Sequence, residues 1–260
     1  MLKVRKEKIF MKRLKDVVFT FFNRLENNNN AVFSSNGEEF FLDIYLKNDV
    51  SVIFDVGANM GDYSKLLLKK SKMNNINIEL HIFEPLSTCF RNIQEEFSSK
   101  DKIFLNNFGL SNEEAETEIF YDTEGSSLAS LYERDLSNIN KKLNKREKIK
   151  LIRLDKYITE NNISKIDLLK IDVEGHEVNV LKGIGKFLMP DFIKVIQFEY
   201  GGANQDSRTY LKDLYTMLTN KGYIICKIMK NGIARREYES KMENFQYANY
   251  LAISPALIND

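Results

Sequence analysis

Cysteine is scarce in this chain, with only Cys89 and Cys226 among 260 residues. The two lie far apart and carry no metal-ligand spacing, which excludes a disulfide scaffold and predicts reduced core thiols of a cytoplasmic protein. An excess of either charge is also missing. Lys plus Arg number 38 against 37 Asp plus Glu, a formal net charge of +1, so no general field draws in nucleic acid or an acidic polymer, and no nucleic-acid partner is expected. Long apolar runs are absent: none approaches the roughly 18 to 20 residues that span a bilayer. The apolar patch Val17 to Phe22 is too short for a signal-peptide core and runs into Asn23 and Arg24 rather than a small-residue cleavage site. There is no internal repeat, and the one low-complexity tract is Asn27 to Asn30. A chain of 260 residues with this composition can bury a sizeable core as a single large α/β domain.

The basic start, "MLKVRKEKIFMKRLKDVVFTFFNRL", is helical in pattern. Leu2, Ile9, Phe10, Leu14, Val17, Val18 and Phe21 fall roughly on one face and Lys or Arg on the other. The first expectation is a helix packed on its own domain; the alternative is a helix that meets a membrane surface or a partner. Residues 1–45 are read as an N-terminal helical extension and 46–260 as the main domain, with the Asn- and Ser-rich "ENNNNAVFSSNGEEF" as the joining loop.

From there strands and helices alternate. "VSVIFDVG", "IELHIFEP" and "KIFLNNFGL" read as strands, separated by helical patterns over Met60 to Lys70 and in "STCFRNIQEEF". "AETEIFYD" and "KIKLIRL" are strand-like and flank a charged, Ser/Asn-rich stretch, 122–148, whose length suggests a lid-like insertion. A helix at Asp155 to Asn161, a buried strand at Ile166 to Val173, a helix from Glu177 to Leu188, the strand "FIKVIQFEY" and a helix at Ser207 to Lys221 follow. "GYIICKIM" and "QYANYLAIS" close the chain as an antiparallel pair. This rhythm predicts a parallel sheet with helices on both faces.

Chemistry gathers at the strand exits. The first strand runs into "FDVGANMGDYS", which sets Asp55, Gly57, Asn59 and Gly61 at a strand-to-helix turn suited to close backbone approach. The turn lacks the G-x-G-x-x-G of dinucleotide sites, so a ligand without a pyrophosphate is favoured. Glu84 ends the second strand, where nucleotide folds accept hydrogen bonds from ribose hydroxyls. The stretch "DLLKIDVEGHEVNVLKG" then crowds Asp172, Glu174, His176 and Glu177 into the exit of an apolar strand. Carboxylates there must be solvated, paired or employed, because unpaired burial costs several kcal/mol. His81, inside an apolar strand, reads as a hydrogen-bonded core residue.

In order, "FDVGANMGDYS", "FEP", "NNFGLS", "GSSL", "IRLDKYI" and "IDLLKIDVEGHEVNVLKG" resemble the FkbM family of S-adenosylmethionine-dependent methyltransferases, over about Val52 to Ile253. The resemblance implies a Rossmann-like class I methyltransferase fold, with a seven-stranded, mostly parallel sheet and one antiparallel strand near an edge. It implies S-adenosyl-L-methionine as cofactor: Asp55, Gly57, Asn59 and Gly61 at the methionine end, Glu84 at the ribose and Asn107 beside the adenine. Asp172 to Glu177 then border the sulfonium. It also points to O-methylation of a sugar, glycan or related secondary metabolite, with no Asn/Asp-Pro-Pro-aromatic motif for an amino nitrogen.

Methyl transfer to a hydroxyl needs alignment and removal of one proton. His176 is the first choice of base, with Asp172 and Glu174 beside it; Asp172 also has the option of orienting the methionine amino group. Alternatively Asp172, Glu174 and Glu199 bind a divalent cation that acidifies the hydroxyl. The other functional class is a non-catalytic adenosyl-binding or scaffold protein of a glycan-assembly complex.

Overall fold

A computed structural model describes residues 9–47 and 50–258. The chain opens with helices α1 (Ile9–Leu25), α2 (Phe33–Asn36) and α3 (Glu38–Tyr45), and then β1 (Val52–Val56), α4 (Asp62–Met73), β2 (Glu79–Phe83), α5 (Ser87–Phe97), β3 (Ile103–Asn106), β4 (Gly109–Ser111) and β5 (Ala115–Tyr121). After the insertion come β6 (Lys145–Arg153), α6 (Leu154–Glu160), β7 (Ile166–Ile171), α7 (Glu177–Gly183), β8 (Ile193–Tyr200), α8 (Gly202–Ser207), α9 (Leu211–Thr219), β9 (Ile224–Met229), β10 (Gly232–Arg235) and β11 (Ala248–Ile253).

The main sheet runs β3-β2-β1-β7-β8-β11-β9-β10. The first five are mutually parallel, and β11 is antiparallel to both β8 and β9. Strands covered on both faces have no polar side to spare, which is why β7 reads "IDLLKI" with all six residues buried. One face packs on α3, α4 and α5 through Phe41, Leu42, Leu67, Ile93 and Phe97. The other packs on α6, α7 and α9 through Tyr157, Val180, Leu181, Leu214 and Leu218. The order reverses between β1 and β7, and the crevice beyond the carboxyl ends of such a pair is where α/β sheets bind ligands.

Several expectations change. The sheet has eight strands rather than seven, because a two-residue loop, Lys230-Asn231, turns β9 back into the β10 hairpin. The expected third strand splits at Asn107: β3 joins the main sheet, while β4 leaves it to form a three-stranded sheet with β6 and β5. The strand β6 begins at Lys145, so the last residues assigned to the insertion belong to a ladder instead. Segment 33–46 is not an extension, since Phe41, Leu42, Tyr45 and Leu46 share a core cluster with Ile53 and Leu80. Only α1 stands apart. Its one buried residue is Asn23, so it is not the domain-packed helix first expected.

His81 is the core residue expected, 1% exposed, with Nδ1 against the Tyr157 hydroxyl at 2.7 Å and Nε2 against Glu79 at 2.9 Å. Cys89 and Cys226 are free and buried. Among the described residues no helix is long and apolar enough to cross a membrane.

Candidate active site

A cavity of about 530 Å³ opens at the carboxyl ends of β1, β2, β7 and β8. Asp55, Gly57, Asn59, Glu84, Asp172, Glu174, His176 and Glu199 all line it; Gly61 and Asn107 do not. Gly61 holds a left-handed turn (φ +78°) whose Cβ position is closed off by the Phe97 ring at 2.8 Å. Asn107 instead donates from its amide to the carbonyls of Glu84 and Pro85, at 3.0 and 3.1 Å, and so fixes the exit of β2. Gly57 is needed for packing as much as for a ligand: at φ +82° a Cβ there would lie 1.8 Å from the Asp172 carbonyl oxygen.

Asp55 is fully buried; its Oδ2 accepts from the Ser64 hydroxyl at 2.6 Å, while its Oδ1 has no hydrogen-bond partner. Such an orphaned oxygen in a cavity wall fits a donor supplied by a ligand. Burial raises the Asp55 carboxyl above its usual range, an effect the Lys170 charge opposes. Glu84 accepts the backbone N–H of Asn59 at 2.7 Å and of Leu86 at 2.9 Å. Burial nonetheless pushes it up to about 8.

The β7 exit separates the four residues of the crowded motif. Asp172 pairs with Lys170 at 2.8 Å. Glu174 sits in the left-handed region at φ +50°, a conformation that costs a non-glycine residue about 1 to 3 kcal/mol. The Ser130 hydroxyl holds it there by donating to its carbonyl at 2.8 Å, while Arg134 grips its carboxylate at 2.5 Å. Glu177 does not line the cavity and instead braces the turn, accepting from the N–H groups of Val173 and Gly175 and from the Asn204 amide. His176 caps α7 with both ring nitrogens engaged: Nε2 with Ser111 Oγ and Nδ1 with the Tyr132 hydroxyl, each at 2.9 Å. Burial lowers its pKa to about 4, so it is neutral and a poor proton acceptor near pH 7. That is the physical objection to His176 as base.

Asp172, Glu174 and Glu199 each offer an oxygen within 4.8 Å of the others, a spacing suited to one divalent cation with oxygen ligands. Burial, then the charges of Asp172 and Glu174, drive Glu199 well above the ordinary carboxyl range.

Sequence reasoning missed four contributors. Lys170 is a cation in mid-strand; burial works against it, but Asp172, Asp55 and Glu38 hold its pKa above the ordinary lysine value. The lone Lys in the apolar run "IDLLKI" was the available signal. Glu38, 2% exposed, reaches the cavity wall from α3 and accepts from Gln197 and Asn36, and its carboxyl is raised by burial. Tyr132 and Arg134 come from the insertion, whose inner half lies across the cavity. Asn59 donates to the Ser126 carbonyl at 2.7 Å, and Arg134 also reaches Asp206 at 3.3 Å. Carboxyl groups outnumber cations around the cavity, Glu38, Asp55, Asp62, Glu84, Asp172, Glu174 and Glu199 against Arg134 and Lys170.

Comparison with known proteins bears on what such a site does. The model of the methyltransferase FkbM domain matches residues 55–225, from Asp55 through the whole β7 motif and Glu199. The chain belongs to the FkbM methyltransferase family. As an FkbM methyltransferase it is 27% identical over 192 residues to Methyltransferase 1 of the fungus Beauveria bassiana, covering 68% of this chain and 74% of that protein. It is also 27% identical over 186 residues to the antimetabolite synthetase AmbE of Pseudomonas aeruginosa, covering 56% of this chain but only 8% of that protein. The crystal structure of an FkbM methyltransferase from Methylobacillus flagellatus aligns with a TM-score of 0.49 at 15% identity, over 78% of this chain and 44% of that one.

Proposed function

We propose that this FkbM methyltransferase transfers a methyl group from S-adenosyl-L-methionine to a hydroxyl of a sugar, glycan or related secondary metabolite. The observation that carries the reading is the acid-rich cavity at the β1–β7 reversal, with Glu84 at the β2 exit and an unpartnered Asp55 oxygen in its wall. When bound, S-adenosylmethionine supplies a methyl group already activated on a sulfonium. A cavity with this excess of carboxyl groups suits a ligand with a sulfonium and an ammonium. Asp55 would take the ammonium end, and Glu84 would accept from the ribose hydroxyls.

The acceptor hydroxyl must be aligned and must lose a proton. In this reading Asp172, flanked by Glu174 and Glu199, receives it, and His176 positions Ser111 and the Tyr132 loop. The same three carboxylates are the ones that would hold a divalent cation, which when bound acidifies a hydroxyl.

The test is mass spectrometry of glycans and small metabolites from cells with and without the gene. A species lighter by one methylene in its absence identifies the acceptor. Unchanged profiles, together with cofactor binding but no turnover, would favour a non-catalytic adenosyl-binding scaffold.

A further inference from the structure

The helix α1 is the largest feature that the methyltransferase site leaves unused. Over its 17 residues Phe10, Val17, Val18, Phe21 and Leu25 are 74, 66, 59, 62 and 59% exposed. At 100° per residue, Phe10, Met11, Leu14, Val17, Val18, Phe21, Phe22 and Leu25 fall on one continuous apolar arc, and Lys12, Arg13, Asp16, Thr20, Asn23 and Arg24 lie opposite, interrupted by Ile9 and Phe19. The domain meets the helix on the polar side at Asn23, which is buried and accepts from the Asn28 amide at 3.0 Å; the rest of α1 is exposed. The whole apolar arc is exposed and packs on none of the domain's core.

Charge says what covers it. Residues 1–25 carry eight Lys or Arg and two acidic residues, a net +6, whereas the whole chain is only +1. The helix is too short and too charged to span a bilayer. A helix with a broad apolar face and basic residues on its other side and flanks has the composition that lies in the plane of an anionic interface. A second copy of α1 would bring these like charges together.

We propose that α1 docks this enzyme on an anionic phospholipid bilayer surface. The apolar arc enters the headgroup–acyl boundary, and Lys12, Arg13 and Arg24 meet lipid phosphates. Ala31 and Phe33, which line the cavity, follow α1 after one short loop, so docking brings the cavity wall close to the membrane.

Flotation of the full chain with vesicles of phosphatidylcholine, alone or mixed with phosphatidylglycerol, tests this. The protein should float with the anionic vesicles, remain behind with the neutral ones, and release as salt is raised. Lys12→Glu with Arg13→Glu should weaken binding at least about tenfold. Val17→Asp with Phe21→Asp should abolish it, with thermal unfolding of the domain unchanged. The comparison of vesicle compositions needs no variant, so it stands whatever those substitutions do to folding. Absence of binding to anionic vesicles overturns the proposal, as does equal binding to both compositions. Sedimentation showing a concentration-dependent dimer that Val17→Asp with Phe21→Asp dissociates, in a protein that ignores vesicles, would overturn it in favour of a second copy.

Discussion

Asp55 and Lys170 are register partners across the β1–β7 ladder, an acid and a base facing each other at the base of the cavity with both side chains buried. Lys170 also pairs directly with Asp172. One buried cation thus offsets the carboxylates of β1, β7 and α3 at once. Removing it leaves those charges uncompensated, so Lys170→Met should cost about 3 to 5 kcal/mol in urea unfolding. An unchanged midpoint would mean that the acids are neutral without it.

The raised Glu84 carboxyl makes stability depend on pH. Its folded pKa of about 8 lies above the ordinary glutamate value of 4.5, so the folded state keeps a proton that the unfolded state gives up. This contribution is fully present below about pH 4.5 and is lost as pH rises towards 8. The stability difference between wild type and Glu84→Gln should therefore slope across that window, by a few kcal/mol in all, on the order of 1.4 kcal/mol per unit. A difference that is flat with pH would contradict the burial argument.

The inner half of the insertion is tied down by Ser126, Ser130, Tyr132 and Arg134, whereas 137–144 carries exposed lysines. Trypsin should cut the ligand-free protein first at Lys141 and Lys142 and spare Arg134. Arg134→Ala should open the inner half to cleavage. Early cleavage of the wild type at Arg134 would show that the strap does not stay closed over the cavity.

Much of this was legible in the sequence, and the failures have physical causes. The β1, β2 and β7 exits could be read because a doubly covered strand is an apolar run that stops where chemistry begins, at Asp55, Glu84 and Asp172. Glu199 was placed beside Asp172 and Glu174 because neighbouring parallel strands end together. Lys170 was hidden because its three acid partners come from α3, β1 and β7, and no spacing announces a contact across 38, 55 and 172. Glu38 was lost to a supposed linker: the eight residues of α3 are too few for a clear helical period. His176 had the right residue type in the right place, but Ser111 and Tyr132, which occupy its nitrogens, lie 65 and 44 positions away.

Those bonds set a further prediction. With the true acceptor, His176→Ala should lower turnover less than about tenfold, whereas Asp172→Asn should lower it by about 10² to 10⁴, the range seen on losing a proton acceptor. If chelation abolishes turnover and Mg²⁺ or Mn²⁺ restores it, the three carboxylates act through a cation. A loss of about 10³ in His176→Ala with Asp172→Asn active would return the role to the histidine.

Isothermal titration of the full chain with S-adenosylmethionine and S-adenosylhomocysteine, in buffers of different ionisation enthalpy near pH 7, tests the central claim most directly because it needs no acceptor. Both ligands should bind, and Glu84→Ala should weaken each by about 1 to 3 kcal/mol through lost charge-assisted hydrogen bonds. Ribose hydroxyls favour the ionised carboxylate, so binding should release protons and tighten as pH rises through about 8, the pKa of Glu84. Binding of NAD with no heat from either adenosyl ligand would contradict the assignment of the cavity.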